Sequence, residues 1–257
     1  MLDLPTPKLG SITAITITSP DLDRSVEYWS RLGFKELFRA DWPFPWVQVT
    51  DGQILIMFRL DPNPYIALTY YVPPDTLGEV VTNLEATGIA FVSRTRPTEM
   101  LQRFVMESPD WQKISLVGIT EGFSQPAGPS MLTMAQSDYS RPEKYTNQVC
   151  GMFGEFAHPV ADLTKALEFW EKLGFKAVSR FTHPYPWCIA TDGLAVVGLH
   201  QTREFTKPTI TFFASDMKNR IENLKVHGLK DFVDKSPSNC MLTTPEGQQL
   251  FLFGLGM

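Results

Sequence analysis

Glu155 is the residue whose position makes the clearest chemical demand. It lies in the middle of GMFGEFAHP (151–159), a segment whose alternating side chains predict a strand. An ionised carboxylate buried there without a partner would cost several kcal/mol, so we expect a partner, a water contact or a raised pKa. A functional role as metal ligand, general base or substrate anchor and a purely structural role both remain open. His158 falls on the opposite face and at the strand end, which predicts a surface or capping histidine.

Five further side chains could contact a ligand. Arg59 and His200 end equivalent predicted strands, where a solvated strand end is the simplest interpretation. An arginine at a cavity rim would also bind an anionic substrate through paired hydrogen bonds. His183 precedes a strand in a segment that could cover a cavity mouth. Trp46 and Trp187 follow Pro-Phe-Pro and Pro-Tyr-Pro, where a large aromatic residue either packs in the core or stacks on a ligand.

These residues lie in a sequence that repeats itself. Segments 21–52 and 162–193 are identical at 15 of 32 positions without a gap, at an offset of 141. They read DLDRSVEYWSRLGFKELFRADWPFPWVQVTDG and DLTKALEFWEKLGFKAVSRFTHPYPWCIATDG. A repeat of this length indicates two copies of one domain.

Each half is predicted to contain two βαβββ units. In the first half, the predicted strands are 11–18, 34–40, 46–50, 53–59, 65–72, 89–94, 101–107 and 113–119, with helices from Asp21 or Asp23 to Gly33 and at 76–87. The apolar residues of the first helix follow the 3, 4 spacing of one buried face, and its glycine ends it. Four strands from each unit would form a curved eight-stranded sheet with two helices outside, able to enclose a small-ligand cavity.

The second half repeats this plan, which makes the fold class α+β. Its predicted strands are 152–158, 175–181, 187–191, 194–200, 208–214, 230–234, 238–243 and 248–253, with helices at 163–173 and 216–227. Residues 120–151 are rich in Gly, Pro, Ser and polar residues without clean periodicity, which predicts a linker. The predicted domains are therefore 1–119 and 152–257.

Composition narrows the classes of function. Of the 257 residues 43% are hydrophobic and 20% charged, the net charge is −5, and no apolar run approaches the length of a membrane span. No cluster of Lys and Arg suits a nucleic acid, and no export signal opens the chain, so we expect a cytoplasmic protein. Its expected partner is a small molecule, and the chain is a pseudo-twofold monomer or a homodimer. The cysteines Cys150, Cys188 and Cys240 lack metal-site spacing, which favours buried free thiols.

The order of these motifs resembles the vicinal oxygen chelate superfamily, as a tandem-domain member. That superfamily includes glyoxalase I, fosfomycin- and bleomycin-resistance proteins and extradiol dioxygenases. The resemblance covers both halves, and its most specific stretches are DLDRSVEYWSRLGF and DLTKALEFWEKLGF. A late turn with Pro and an acidic residue before the final strand of each half belongs to the same pattern.

The resemblance implies where a divalent metal would be held, because family enzymes take ligands from the first strand of each unit and from late strands. The matching positions are Ala14, Ala67 or Thr69, and Ser115 in the first half, and Glu155, Thr209 and Phe251 in the second. Only Glu155 is a plausible ligand, and its best companion is His200. Since catalytic metals usually have three protein ligands, we expect no metal cofactor, with a divalent metal conceivable only in the second half.

The leading functional prediction is a small-molecule-binding protein, similar to the resistance proteins of the family. It would hold an apolar or aromatic ligand in a cavity, with degraded metal sites and with Trp46, Arg59, His183 and Trp187 as contacts. The alternative is a lyase or dioxygenase with one functional site in the second half, at Glu155 and His200. A structural or regulatory partner-binding protein is the third class.

Overall fold

The computed structural model describes residues 4–95, 101–119, 121–128 and 130–255, and it contains two eight-stranded mixed sheets. The first half contains β1 (Ile12–Ser19), α1 (Leu22–Arg31), β2 (Lys35–Ala40), β3 (Trp46–Thr50), β4 (Leu55–Leu60), β5 (Ile66–Tyr71), α2 (Leu77–Ala86), β6 (Phe91–Arg94), β7 (Arg103–Glu107) and β8 (Lys113–Val117). Its strand order is β2-β3-β4-β1-β5-β8-β7-β6. None of the helices in the described ranges is long and apolar enough to cross a bilayer.

The second half repeats this architecture. Its elements are β9 (Met152–Pro159), α3 (Leu163–Lys172), β10 (Lys176–Phe181), β11 (Trp187–Thr191), β12 (Val196–His200), β13 (Thr209–Ala214), α4 (Met217–Val226), β14 (Phe232–Ser236), β15 (Asn239–Thr243) and β16 (Gln249–Gly254). Its strand order, β10-β11-β12-β9-β13-β16-β15-β14, is the order of the first sheet. The predicted α+β class and the tandem pair of domains are confirmed.

The repeated helices α1 and α3 begin and end in the same way. The carboxylate of Asp21 accepts a hydrogen bond from the Arg24 N–H, and Asp162 caps α3 equivalently. Trp29 and its counterpart Trp170 are fully buried, as the predicted apolar face requires. Beyond each helix a glycine with φ near +90° makes the chain turn into the next strand.

The two units of each sheet meet at its centre. In the first half β1 pairs in parallel with β4 and antiparallel with β5, which places the first strands of the two units side by side. The same contact in the second half, between β9 and β13, has a shift in register at Gly154. A Cβ atom on Gly154 would lie 2.3 Å from the ring of Phe213, so glycine is required where the strand kinks.

The two halves share one hydrophobic core. The rings of Phe34 and Phe212 lie 6.4 Å apart across the domain boundary. The hydroxyl of Tyr70 donates a 2.7 Å hydrogen bond to the buried carboxylate of Asp192 in the other half. Both halves therefore pack through the helix-bearing faces of their sheets, and the opposite faces are left for cavities.

Residues before each repeat unit form reciprocal arms. Pro5 packs against Gly193 of the second half, and Thr146, at the same repeat offset, packs against Gly52 of the first. The side-chain amide of Asn147 donates to the Leu32 carbonyl at 3.0 Å. The end of the predicted linker thus repeats the N-terminal arm and belongs structurally to the interface between the halves.

Candidate functional site

A small cavity lies in the first half, on the sheet face opposite the helices. Its volume is about 100 Å³, and Trp46, Met57 and Tyr71 form apolar walls. All three belong to a small separate cluster of buried side chains on this face. For comparison, an apolar cavity of roughly 150 Å³ holds one benzene molecule, so this space takes no more than a single ring.

Phe123 completes this cavity from the predicted linker. Its ring stacks on Trp46, with centroids 5.5 Å apart and planes at 9°, and on Tyr71, at 4.1 Å and 24°. The segment is held because the side-chain oxygen of Gln125 accepts a 2.9 Å hydrogen bond from the Thr13 N–H. Sequence reasoning missed Phe123, since no periodicity marks a single aromatic residue in a loop as a cavity wall.

A row of hydroxyl groups forms the polar side of the cavity. Thr16 Oγ1 and Thr69 Oγ1 are hydrogen-bonded at 2.7 Å, and Tyr65 Oη and Ser115 Oγ at 3.0 Å. Strand register places Thr69 opposite Ala14 and beside Ser115, so Thr69 rather than Ala67 occupies the second of the implied ligand positions. Neutral hydroxyls and a methyl group do not fit a catalytic divalent metal, which takes imidazole, thiolate or carboxylate donors.

Two arginines line the same cavity. The Arg59 guanidinium donates to Asp61 at 2.9 Å and lies 5.4 Å from the ring centroids of both Phe44 and Tyr65. The Arg103 guanidinium also lies 5.4 Å from the Tyr65 centroid. Arg59 was predicted as a ligand contact at a cavity rim, whereas Arg103, in a strand with weak periodicity, was not singled out.

In the second half the structure brings Glu155 and His200 together. His200 Nε2 and Glu155 Oε1 are hydrogen-bonded at 2.8 Å, and the two residues are only 8% and 3% exposed. Their other polar atoms, His200 Nδ1 and Glu155 Oε2, have no partner within the described part of the chain. The His200 ring stacks on Trp187, 5.0 Å between centroids and 8° between planes. The imidazole is therefore fixed on one side by the carboxylate and on its face by an indole.

Gly198 creates the space for the Glu155 carboxylate. A Cβ atom on Gly198 would lie 2.2 Å from Glu155 Oε2. At the repeat offset the first half has Ala14 in place of Glu155 and Met57 in place of Gly198. In both halves one of these two positions carries a small residue and the other a long side chain. The small residue is on β1 in the first half and on β12 in the second.

Aromatic side chains cover the buried pair. The Phe205 ring lies edge-on to His200 at 5.6 Å and to Phe251 at 5.5 Å. Strand register makes Phe251 the counterpart of Ser115, which lines the open cavity of the first half. The ring of Phe251 therefore occupies space that the first half leaves to a cavity.

The predicted ligand position Thr209 is wrong by two residues. Thr211, not Thr209, pairs with Glu155, and Thr211 Oγ1 accepts a 3.0 Å hydrogen bond from the Glu155 N–H. Thr209 was aligned with the first half by counting residues across the unit without a gap. The sequence around this strand did not fix that alignment. Across the described ranges no three His, Cys, Asp or Glu side chains converge, so the donors at Glu155 and His200 do not fit a three-ligand metal site.

His183 lies on the surface. Its ring Nδ1 is 3.1 Å from Thr182 Oγ1, and its backbone carbonyl accepts a 3.2 Å hydrogen bond from the Trp187 indole. Trp42 and Trp46 make the same indole contact in the first half at 3.1 Å. Nothing in the described part of the chain joins the His183 ring to Glu155, and its predicted ligand contact stays a prediction.

His158 contradicts the prediction of a surface histidine. It is 1% exposed, with its ring 4.5 Å from Phe156 and 5.4 Å from Trp170. Neither ring nitrogen has a hydrogen-bond partner among the described residues. Burial, with a smaller effect of His200, lowers the pKa of His158 to about 3. Strand parity was right about its face, but α3 covers that face and makes it core.

Comparison with known families and structures gives one family match and many fold matches. Residues 11–116 match the model of the Glyoxalase/Bleomycin resistance protein/Dioxygenase superfamily. No curated protein matches the sequence.

The solved structures that share the fold include extradiol-type dioxygenases. The 2,3-dioxygenase LapB from Pseudomonas sp. KL28 is 16% identical with a TM-score of 0.61, covering 98% of this chain and 94% of its own. Homoprotocatechuate 2,3-dioxygenase from Arthrobacter globiformis is 13% identical with a TM-score of 0.60, covering 98% and 82%. A variant of the Brevibacterium fuscum enzyme is 12% identical with a TM-score of 0.61, covering 97% and 72%. At these identities the likeness establishes the architecture of both halves.

Proposed function

We propose that the protein binds a small aromatic molecule without a metal, as a protein whose residues 11–116 match the Glyoxalase/Bleomycin resistance protein/Dioxygenase superfamily model and whose second half repeats the fold of the first. The binding site is the first-half cavity. The observation that carries the proposal is the aromatic stack of Trp46, Tyr71 and Phe123 around a space whose implied ligand positions hold no ionisable donor.

The physical basis is stacking and burial. An aromatic pair contributes about 0.5–1.5 kcal/mol beyond the area that it buries, and the cavity offers rings of Trp46, Tyr71 and Phe123 together. Removing a single ring from water adds about 25 cal/mol for each Å² of apolar surface. The hydroxyl row can orient a polar substituent, since small-ligand sites combine apolar walls with a few placed polar groups.

Ser115→Phe should abolish this binding. The new ring would enter the cavity as Phe251 does in the second half, and it would exclude a ligand ring. Ser115→Ala, the matched control, removes only a hydroxyl and should keep the affinity within about threefold. Titration calorimetry with benzyl alcohol, with and without EDTA in the buffer, measures wild type and both variants. Undiminished binding in folded Ser115→Phe protein, or binding by wild-type protein that EDTA removes, would refute the proposal.

A second candidate function is a proton-transfer enzyme of lyase type in the second half. The buried Glu155–His200 hydrogen bond supports it, because a carboxylate that orients an imidazole is the arrangement of a general base. Two donors are fewer than metal-dependent dioxygenation asks for, so the geometry favours proton transfer within this alternative. Phe205 and Phe251 would have to move for a substrate to reach the pair.

Glu155→Gln tests this candidate, since it keeps the shape of the side chain and removes its charge. If Glu155 works through His200, deuterium uptake by hydroxyacetone in D₂O should slow by about 10²-fold or more, at a nearly unchanged melting temperature. Glu168→Gln, at an exposed glutamate of α3, is the control. Equal exchange rates in wild type and Glu155→Gln, or a large loss of stability, would assign Glu155 a structural role.

A further inference from the structure

The mouth of the first-half cavity carries two positive charges close to one tyrosine. The Arg59 and Arg103 guanidinium carbons each lie 5.4 Å from the Tyr65 ring centroid, so their separation cannot exceed twice that distance. Cation–π contact stabilises each guanidinium, but it does not remove the repulsion between them. An anion bound between the two guanidinium groups would be attracted by both positive charges.

Among the described residues, one carboxylate pairs with one of these two charges. Asp61 forms an ion pair with Arg59, and the described residues offer Arg103 no carboxylate partner. Arg59 is 17% exposed in its side chain, which places its charge partly out of water, where attraction to an anion is stronger than at an open surface. The part of the cavity wall that the structure describes therefore has a net positive charge, although the chain as a whole carries −5.

The size of the cavity limits the ligand to one ring. Its volume of about 100 Å³ is below the roughly 300–1,000 Å³ of pockets for drug-sized ligands. The Phe123 ring, which stacks on both Trp46 and Tyr71, closes the cavity on the side of the linker. A second fused ring would have to displace the Phe123 side chain.

From these three observations we infer that the ligand is a single-ring aromatic carboxylate. Its ring lies in the cavity lined by Trp46, Met57 and Tyr71, and its carboxylate is bound by Arg103 with support from Arg59. This inference rests on the proposed function and specifies the ligand class of the same cavity. A planar carboxylate matches the planar donor fork of a guanidinium, which is the basis for choosing it over a spherical anion.

The second half lacks this charge pattern. At the repeat position of Arg59 it has His200, which is already hydrogen-bonded to the Glu155 carboxylate. A ligand carboxylate there would have to displace Glu155 from His200, and leaving a buried polar group without its partner costs free energy. Within the described ranges this charge pattern therefore occurs once, and we expect one aromatic anion to bind per chain.

The test compares benzoate with its neutral isostere benzamide by titration calorimetry. Wild-type protein should bind benzoate roughly 10-fold to 100-fold tighter than benzamide, as expected of a charge-assisted hydrogen bond. Arg103→Gln should reduce this ratio to about threefold or less, and Arg103→Lys should restore part of it. Arg94→Gln, at an exposed arginine of the neighbouring strand that pairs with Glu85, is the control and should keep the ratio. Increasing salt should weaken benzoate binding more than benzamide binding.

Each outcome distinguishes this inference from the proposed function. Equal affinities for benzoate and benzamide, or a preference for benzylamine, would overturn the inference while leaving metal-free aromatic binding intact. Failure of benzoate, benzamide and benzyl alcohol alike to bind would overturn both. The one-ring limit has its own readout: 1-naphthoate should bind to Phe123→Ala but not to wild type, and tight binding to wild type would refute the limit.

Discussion

Between pH 7 and pH 3 the protein is expected to lose roughly 4–5 kcal/mol of folding free energy that a His158→Ile variant retains. Burial lowers the pKa of His158 from 6.5 to about 3 in the folded state. Below pH 6.5 the unfolded chain therefore binds a proton that the folded protein excludes. Stability from this residue is fully present above pH 6.5 and is lost as the pH falls toward 3.

Ile is the informative replacement because Ile17 occupies the same repeat position and packs in the first-half core. Urea unfolding of wild type and His158→Ile at pH 7, 5 and 4 measures the difference. His227→Ile, at an exposed histidine, is the control and should follow the wild-type profile. Parallel stability profiles for wild type and His158→Ile would contradict the expectation.

Two buried carboxyl groups act in the opposite direction. Burial raises the pKa of Asp51 and of Asp192, although both accept several hydrogen bonds. Their folded-state pKa values lie above the unfolded ones, so the stability that they contribute is present at low pH and lost as the pH rises. Since both remain in wild type and in His158→Ile, their effect cancels in the comparison between the two.

Local sequence patterns predicted the fold to within a few residues at most element ends. The reason is consistency between levels: Asp21 and Asp162 cap helices whose apolar faces end at glycines, and Trp46 and Trp187 begin equivalent strands. The repeat strengthened every such assignment, because each element was read twice. The repeat also indicated His200 as the companion of Glu155, and His200 Nε2 lies 2.8 Å from Glu155 Oε1.

The errors concern features that only tertiary packing determines. Thr211 replaces Thr209 because Thr211 pairs with Glu155 as Thr69 pairs with Ala14, a register that counting along the chain did not fix. His158 is core because α3 places Trp170 over it. Phe123 reaches the cavity from a segment without periodicity, through an anchor whose two ends are 112 positions apart in the chain. None of these contacts has a signal within a window of neighbouring residues.

The two halves place a small residue and a long side chain at one pair of equivalent positions, but on exchanged strands. In the first half the equivalent positions hold Ala14 and Met57, which belong to one buried cluster, and Met57 lines the ligand cavity. In the second half Gly198 leaves room for Glu155, whose carboxylate reaches His200. Changing one member of either pair should therefore be costly, and changing both should be less costly than the sum.

Gly198→Ala is expected to destabilise the protein by about 3 kcal/mol, the cost of leaving buried polar groups without their hydrogen-bond partners. The new Cβ would lie 2.2 Å from Glu155 Oε2, so the carboxylate must leave its position beside His200. In Glu155→Ala protein the carboxylate is absent, and the same Gly198→Ala change should cost about 1 kcal/mol or less. Urea unfolding of the four proteins completes a double-mutant cycle in which we expect a coupling of about 2 kcal/mol or more. Additive effects would show that Gly198 and Glu155 do not share this space. Strong coupling would show that the missing side chain of Gly198 makes room for the Glu155 carboxyl group in this sheet.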